Sequence, residues 1–162
     1  MAVGATTWSF TEGDFGAITQ TLERFLQESN ARCALLVDRT GQLVATVGEK
    51  PTFDPTAFAT LTAADFSAND QLAKLIGEKE FSSLFHQGER DSMYLADVAN
   101  RVILVVLFDG RTTLGLVRLK LKATVDELAK LFRAVFERAA AGQPQQPSVL
   151  AGADDEIDKL FQ

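Results

Sequence analysis

A length of 162 residues, of which 46% are hydrophobic and 23% charged, is enough for one hydrophobic core and too short for two independent ones. The formal net charge of −6 disfavours binding to duplex nucleic acid or anionic lipid, because both attract basic surfaces. The single cysteine, Cys33, cannot form a disulfide within the chain, and residues 1–10 lack the basic and apolar blocks of a secretory signal, so we expect a cytoplasmic protein.

The chain begins with a predicted helix and a predicted β-hairpin. Thr11 followed by Asp14 fits a capping box, in which each side chain binds a free backbone N–H group of the first turn. Apolar residues then recur at helical spacing from Phe15 onward, and this pattern ends near Asn30. Two short apolar runs follow at residues 33–37 and 43–47, and the turn residues 38–41 between them predict the hairpin.

A second helix is predicted from about residue 55 to residue 76. Asp54 can cap it, Pro55 is tolerated at its first position, and Gly77 is a typical stop. On a helical wheel we assign the core-facing stripe to its large apolar residues and one alanine, namely Phe58, Leu61, Ala68, Leu72, Leu75 and Ile76.

The opposite side of this helix is small and partly apolar, where a solvated helix would carry charges. It consists of Ala59, Ala63, Phe66, Ser67, Asp70 and Lys74. An exposed face chosen for helix propensity would explain the alanines but not Phe66. We therefore interpret this side of the helix as a contact surface for a partner or for a second copy of the chain.

The second half of the chain predicts three strands and a third helix. The strands are expected at residues 81–87, 93–98 and 102–108. The last of these is apolar on both faces, which is typical of a central strand, and it is far shorter than the roughly 20 residues that cross a bilayer. Helical spacing from residue 114 predicts a helix that ends near residue 141. The order α-β-β-α-β-β-β-α predicts an α/β sandwich with a five-stranded, mainly antiparallel sheet and helices on both faces.

Composition divides the chain into a domain, a linker and a tail. Residues 1–141 form the predicted domain, and residues 142–153, rich in glycine, proline, glutamine and alanine, predict a flexible linker. In residues 154–162, Asp154 and Asp155 suit a helix N-terminus, and Ile157, Leu160 and Phe161 follow at helical spacing. A helix this short is unstable alone, so we predict a recognition motif that folds on a partner.

No residue pattern predicts an active site, a metal site or a bound cofactor. His86 is the only histidine, so we interpret it as a structural residue on a half-buried strand rather than as a ligand or a relay base. We interpret Cys33 as inert core packing, and we find no GxxxxGK[S/T] phosphate-binding loop. Four arginines are interpreted as solvated turn residues rather than as fingers toward a GTPase: Arg39, Arg90, Arg101 and Arg111.

Three segments resemble the Roadblock/LC7 family. They are residues 36–43 (LVDRTGQL), residues 72–78 (LAKLIGE) and residues 107–118 (LFDGRTTLGLVR). The likeness is strongest to the bacterial MglB type, whose extended tail is similar to residues 154–161 (DDEIDKLF). The resemblance covers the chain from about Phe15 to Phe161.

The resemblance implies a regulator without an active site of its own. It implies a homodimer in which helix two and the third strand meet their twins, with a small Ras-like GTPase of the MglA type seated near helix two. There Ser67 and Gln71 look like contact positions. It further implies faster GTP hydrolysis without an inserted arginine, in control of cell polarity or motility and with concentration at a cell pole. The tail residues Asp154, Asp155, Ile157, Leu160 and Phe161 would bind the GTPase and aid nucleotide exchange.

Two other functions stay open. The first is a Roadblock adaptor that docks a GTPase without changing its turnover. The tail favours the regulator, because a linker of about 11 residues with a reach of roughly 5–6 Å × √n lets the tail contact the far side of a bound partner. The second is a small-molecule sensor, which is disfavoured because the core stripes show no convergent polar residues.

Overall fold

The computed structural model describes residues 9–142, and it contains the eight elements in the predicted order. The helices are α1 (Glu12–Ser29), α2 (Pro55–Leu75) and α3 (Leu114–Gly142). The strands are β1 (Cys33–Asp38), β2 (Leu43–Gly48), β3 (Ser83–Gln87), β4 (Ser92–Val98) and β5 (Val102–Phe108). None of the helices in this part of the chain has the length and hydropathy to cross a membrane. The predicted tail motif, and all of the predicted linker except Gly142, lie outside the described residues.

The five strands form one sheet in the order β2-β1-β5-β4-β3. Every neighbouring pair is antiparallel, which confirms the predicted sheet. Strands β1 and β5 are paired next to each other, with Leu35 opposite Val105. All six residues of β1 are buried, and so are six of the seven in β5, as expected for strands covered on both faces.

The ends of α1 are fixed by local chemistry. The Thr11 hydroxyl accepts a hydrogen bond from the Asp14 N–H at 3.1 Å, and the Asp14 carboxylate accepts one from the Thr11 N–H at 2.9 Å, so the predicted capping box is confirmed. Asn30 ends the helix in the left-handed conformation, with φ 57°. Along the predicted apolar stripe, Ile18 is buried, whereas Phe15 is 48% exposed.

The sheet separates two hydrophobic cores, so the prediction of helices on both faces is confirmed. On one face, α1 and α3 cover Leu36, Leu104 and Val106. On the other face, α2 alone covers Leu35, Val105 and their neighbours. This division follows from the alternation of side chains along a strand, which sends consecutive residues such as Leu35 and Leu36 to opposite faces.

The face of α2 that meets the sheet is the one that we assigned to a partner, so that prediction is wrong. Ala59, Ala63 and Phe66 are 0%, 7% and 1% exposed and lie beneath the helix. The strands below already supply large side chains such as Val37 and Ile103. Small helix residues therefore let the backbone approach closely, and one phenylalanine fills the remaining space. The large apolar residues assigned to the core lie mostly on the exposed side instead.

Candidate interaction face on the second helix

Helix α2 begins and ends as its sequence predicts. The Asp54 carboxylate accepts a hydrogen bond from the Thr56 N–H at 3.0 Å, and Pro55 takes the first helical position. The rings of Phe53 and Phe58 lie 4.6 Å apart across the start of the helix. These contacts fix where the helix starts, and the buried contacts of Phe66 fix how it is rotated on the sheet.

The side of α2 that points away from the sheet carries an exposed apolar stripe. Leu61, Leu72 and Leu75 are 70%, 57% and 82% exposed, and Ala64 and Ala68 between them are exposed as well. Single exposed leucines are common on soluble proteins, but a continuous run along one helix face marks a contact surface. We call Leu61, Ala64, Ala68, Leu72 and Leu75 the leucine stripe. Ile76, 70% exposed, extends it past the end of the helix.

The leucine stripe is symmetric about its middle residue. Leu61 and Leu75 stand seven residues before and after Ala68, and Ala64 and Leu72 stand four residues before and after it. A second copy of the helix, turned end for end about Ala68, would place Ala64 against Leu72 and Leu61 against Leu75. A large residue then meets a small one at the inner pair. Such self-complementarity is what a two-fold symmetric interface requires.

Strand β3 forms one edge of the sheet. Its five residues include no lysine, arginine, aspartate or glutamate, and His86 is the one residue that can carry a charge. Edge strands that face solvent are usually protected by charged side chains, proline or a bulge. His86 lies on β3, a partly buried strand as predicted, and its own side chain is 45% exposed. Its Nε2 lies 2.7 Å from a carboxylate oxygen of Asp65, which ties β3 to α2. The edge strand and the stripe-bearing helix are thus directly linked.

Arg39 is not the solvated turn residue that we predicted. Its guanidinium donates to Asp70 at 3.0 Å and to Asp97 at 2.5 Å, and it stacks over the Phe66 ring at 5.2 Å. Burial disfavours its charge, but the two carboxylates outweigh that effect and raise the pKa of Arg39. Asp70, which we had placed on the outward side of α2, is therefore half-buried in an ion pair that fastens the helix to the sheet.

A second ion-pair network joins the strands at one end of the sheet. Arg32 pairs with Glu49 at 3.0 Å and with Asp91 at 2.6 Å, and Arg111 pairs with Glu49 and Asp109 at 3.0 Å each. Hydrogen bonds from Arg32, and then from Arg111, hold the pKa of Glu49 below its usual value. Arg111 lies in an exposed turn, as predicted, and its ion pairs also help to hold this end of the sheet together.

The structure shows the state of the cysteine and of possible metal ligands in the described part of the chain. Cys33 is 4% exposed, and burial raises the pKa of its thiol to about 11, so little thiolate forms at neutral pH. Within residues 9–142 no group of three or more histidine, cysteine or acidic side chains could hold a metal ion.

The predicted contact residues divide into two groups. Ser67, Gln71 and Lys74 are exposed, and their role as partner contacts stays a prediction. The other four, Ala59, Ala63, Phe66 and Asp70, are held between the helix and the sheet. Sequence reasoning missed the exposure of the leucine stripe, although the symmetric spacing about Ala68 was a signal that could have found it. The predicted tail residues Asp154, Asp155, Ile157, Leu160 and Phe161 lie outside the described residues.

The family follows from comparison with known proteins. The model of the Roadblock/LC7 domain family matches residues 17–108, which is more than half of the chain. This chain belongs to the Roadblock/LC7 family. The matched range runs from α1 through β5, so it contains the whole Roadblock/LC7 sheet and the helix that carries the leucine stripe.

Among solved structures, this Roadblock/LC7 chain is similar to several MglB proteins. It is 47% identical to Myxococcus xanthus MglB, with a TM-score of 0.71, and the match covers 74% of this chain and 98% of that one. It is 34% identical to the gliding protein MglB from Thermus thermophilus, with a TM-score of 0.71 and coverage of 76% and 94%. It is 33% identical to an MglB described as having a tetrameric arrangement, with a TM-score of 0.74 and coverage of 79% and 96%.

Proposed function

We propose that this Roadblock/LC7 protein is a homodimer that binds a small Ras-like GTPase of the MglA type and stimulates its GTP hydrolysis. The observation that carries the proposal is the leucine stripe of α2, which is apolar, exposed and complementary to itself. The likeness to MglB proteins supports the choice of partner. In this proposal the chain supplies a binding platform, and the chemistry of hydrolysis stays with the GTPase.

The uncovered half of the sheet supports a dimer. Five strands at about 4.8 Å spacing make a sheet roughly 24 Å wide, and a helix with its side chains is about 10 Å across. Two helices cover one face, but α2 alone covers the other. Leu84 on β3 and Met93 on β4, which lie on the α2 side, stay half-buried. This remaining surface is open to contact with a second copy of the chain.

The uncharged edge of β3 supports the same arrangement. Its outer N–H and C=O groups face away from β4, so a twin strand can pair with them. Antiparallel pairing about a two-fold axis would join the two five-stranded sheets into one, and His86 and Asp65 would keep each edge in line with its α2.

Stimulation without an inserted arginine is consistent with the ion pairs that two of the turn arginines form. Arg39 and Arg111 are both engaged by carboxylates, so neither is available as a finger without breaking ion pairs. Ser67 and Lys74 remain exposed beside the stripe, where a bound GTPase could contact them after the stripes have paired. We infer that the platform acts by holding the switch regions of the GTPase, and that the tail adds a second contact that aids exchange.

The test combines oligomeric state with single-turnover GTP hydrolysis by an MglA-type GTPase. Leu72→Arg should give a monomer that no longer stimulates hydrolysis, because it places a charge in the stripe. Ser67→Arg should leave the dimer intact and lose stimulation. Arg133→Glu, on the exposed side of α3, is the matched control and should change neither property. A Leu72→Arg chain that remains dimeric would contradict the proposed interface, and a wild-type chain that binds the GTPase without changing turnover would identify an adaptor.

A further inference from the structure

A groove on the opposite face of the sheet from α2 has no role in the proposed dimer. It lies between α3 and the strands β3 and β4 and has a volume of about 350 Å³, within the range of roughly 300–1,000 Å³ for pockets that bind ligands or side chains. Its apolar walls include Tyr94, Leu121 and Val125. Ser83 of β3 lines the side opposite the helix. The groove therefore has room and apolar surface for side chains that come from outside residues 9–142.

The rim of this groove is basic on a chain that is acidic as a whole. Arg118 and Lys122, one helical turn apart on α3, both line the groove and are both exposed. Neither forms an ion pair with any residue of the described range 9–142. Two carboxylates also line it, but Asp97 is already bound by Arg39, which leaves Asp126 as the opposing charge. The groove thus favours an occupant that carries negative charges beside apolar residues.

We propose that this groove binds the chain's own C-terminal segment, residues 154–161 (DDEIDKLF). Three consecutive acidic residues begin the segment, and they match the unpaired Arg118 and Lys122. The apolar residues Ile157, Leu160 and Phe161 follow at a spacing that puts them on one side of a helical turn, where they can contact Tyr94 and Val125. The C-terminal segment therefore has both the negative charge and the apolar residues that the groove favours.

The length of the intervening chain permits this contact. Helix α3 ends at Gly142, and Val125 stands 17 residues earlier, about 26 Å along the helix axis. The eleven residues 143–153 can extend to about 36–40 Å, so the segment can reach back to the groove with slack. A tether of this kind gives an effective concentration of about millimolar. Docking therefore needs little affinity, which fits a contact made partly by exposed ion pairs.

Docking in the groove would make residues 154–161 inaccessible to other partners. This consequence rests on the proposed function, in which the same segment binds the GTPase, whereas the docking itself does not. A segment docked on α3 is unavailable to a GTPase, and a GTPase that captures it empties the groove. The two contacts would compete for the same apolar residues.

Disulfide trapping in the full-length chain tests the docking without any GTPase. Ser83→Cys combined with Leu160→Cys should form a disulfide within one chain under mild oxidation. The matched control combines Ala123→Cys with Leu160→Cys, because Ala123 is exposed on another side of α3 and lies within reach of the same linker. We expect a yield several-fold higher for the Ser83 pair. Equal yields for the two pairs, or a disulfide that forms only between different chains in a mixed sample, would overturn the proposal.

Charge reversal tests the role of the rim. Adding Arg118→Glu and Lys122→Glu to the Ser83 pair should lower its disulfide yield several-fold, with an unchanged circular dichroism spectrum. Lys130→Glu with Arg133→Glu changes the charge of α3 equally at exposed positions outside the groove and should leave the yield unchanged. A disulfide yield that stays the same after Arg118→Glu and Lys122→Glu would also overturn the proposal.

Discussion

The symmetry of the leucine stripe makes a quantitative prediction about which cysteine pairs can cross-link. In an antiparallel pair centred on Ala68, the two copies of residue 68 face each other. Helix axes about 8–10 Å apart, with Cα atoms about 2.3 Å off each axis, put the two Cα atoms about 3.4–5.4 Å apart. This separation overlaps the range of about 4.4–6.8 Å that disulfides require. Leu61 stands seven residues from Ala68, so its two copies would lie 14 residues apart along the pair, about 21 Å.

The assay is mild oxidation followed by gel electrophoresis without reductant. Ala68→Cys should form a covalent dimer by itself. Leu61→Cys and Leu75→Cys should each remain monomeric on the gel and should cross-link only when the two variants are mixed. The wild-type chain is the control, because its buried Cys33, with its pKa raised to about 11, should not react. Self-linking of Leu61→Cys, or no linking of Ala68→Cys, would refute this pairing.

Three predictions concern stability and are checked by urea unfolding. Phe66→Ala should cost about 3–5 kcal/mol because it empties the space beneath α2, whereas Phe15→Ala, at a half-exposed position, should cost far less. Arg39→Gln should cost about 1–3 kcal/mol, because it leaves two carboxylates without their partner. The pKa of Glu49 is lower in the folded state than in the unfolded state. Its ion pairs therefore stabilise the protein at a pH above the unfolded-state pKa of about 4.3. This stabilisation is lost as the pH falls through the folded-state pKa. Arg111→Gln should therefore weaken the protein near pH 7 and converge with wild type in acid.

Each of these has a result that would contradict it. Equal losses from Phe66→Ala and Phe15→Ala would mean that α2 is not seated through Phe66. An Arg39→Gln protein as stable as wild type would show that the ion pairs do not fasten the helix. A difference between Arg111→Gln and wild type that grows as the pH falls below about 4 would reverse the sign expected from the lowered pKa of Glu49.

Local chemistry made much of the fold predictable. The capping residues Thr11 and Asp54 act within three residues of their own position, so the sequence alone locates both helix starts. The continuous apolar run Val102–Phe108 predicted a strand buried on both faces, and the order of elements predicted the antiparallel sheet. These features depend on neighbours along the chain, which a sequence displays directly.

The rotation of α2 could not be predicted in the same way. Both of its sides are apolar, and periodicity identifies a stripe without saying which stripe meets the sheet. The size of Leu61 and Leu72 suggested a core position, but the space above the sheet was already filled by strand residues, so small residues lie inside. The partners of Arg39 were also out of reach of sequence reasoning, because Asp70 and Asp97 are 31 and 58 residues away.

The pairing of the first helix with the last has a consequence for how the protein is synthesised. Arg24 binds Glu127, and Arg138 binds Asp14, so the apolar side of α1 is covered by residues that the ribosome adds more than 100 positions later. Strand β1 likewise cannot pair with β5 until β5 has been synthesised. Contacts this distant in sequence form late, and a nascent chain exposes its early apolar surface meanwhile. A ribosome that stalls before α3 would therefore hold a chain in which α1 alone covers one face of the sheet, which makes translation speed a determinant of yield.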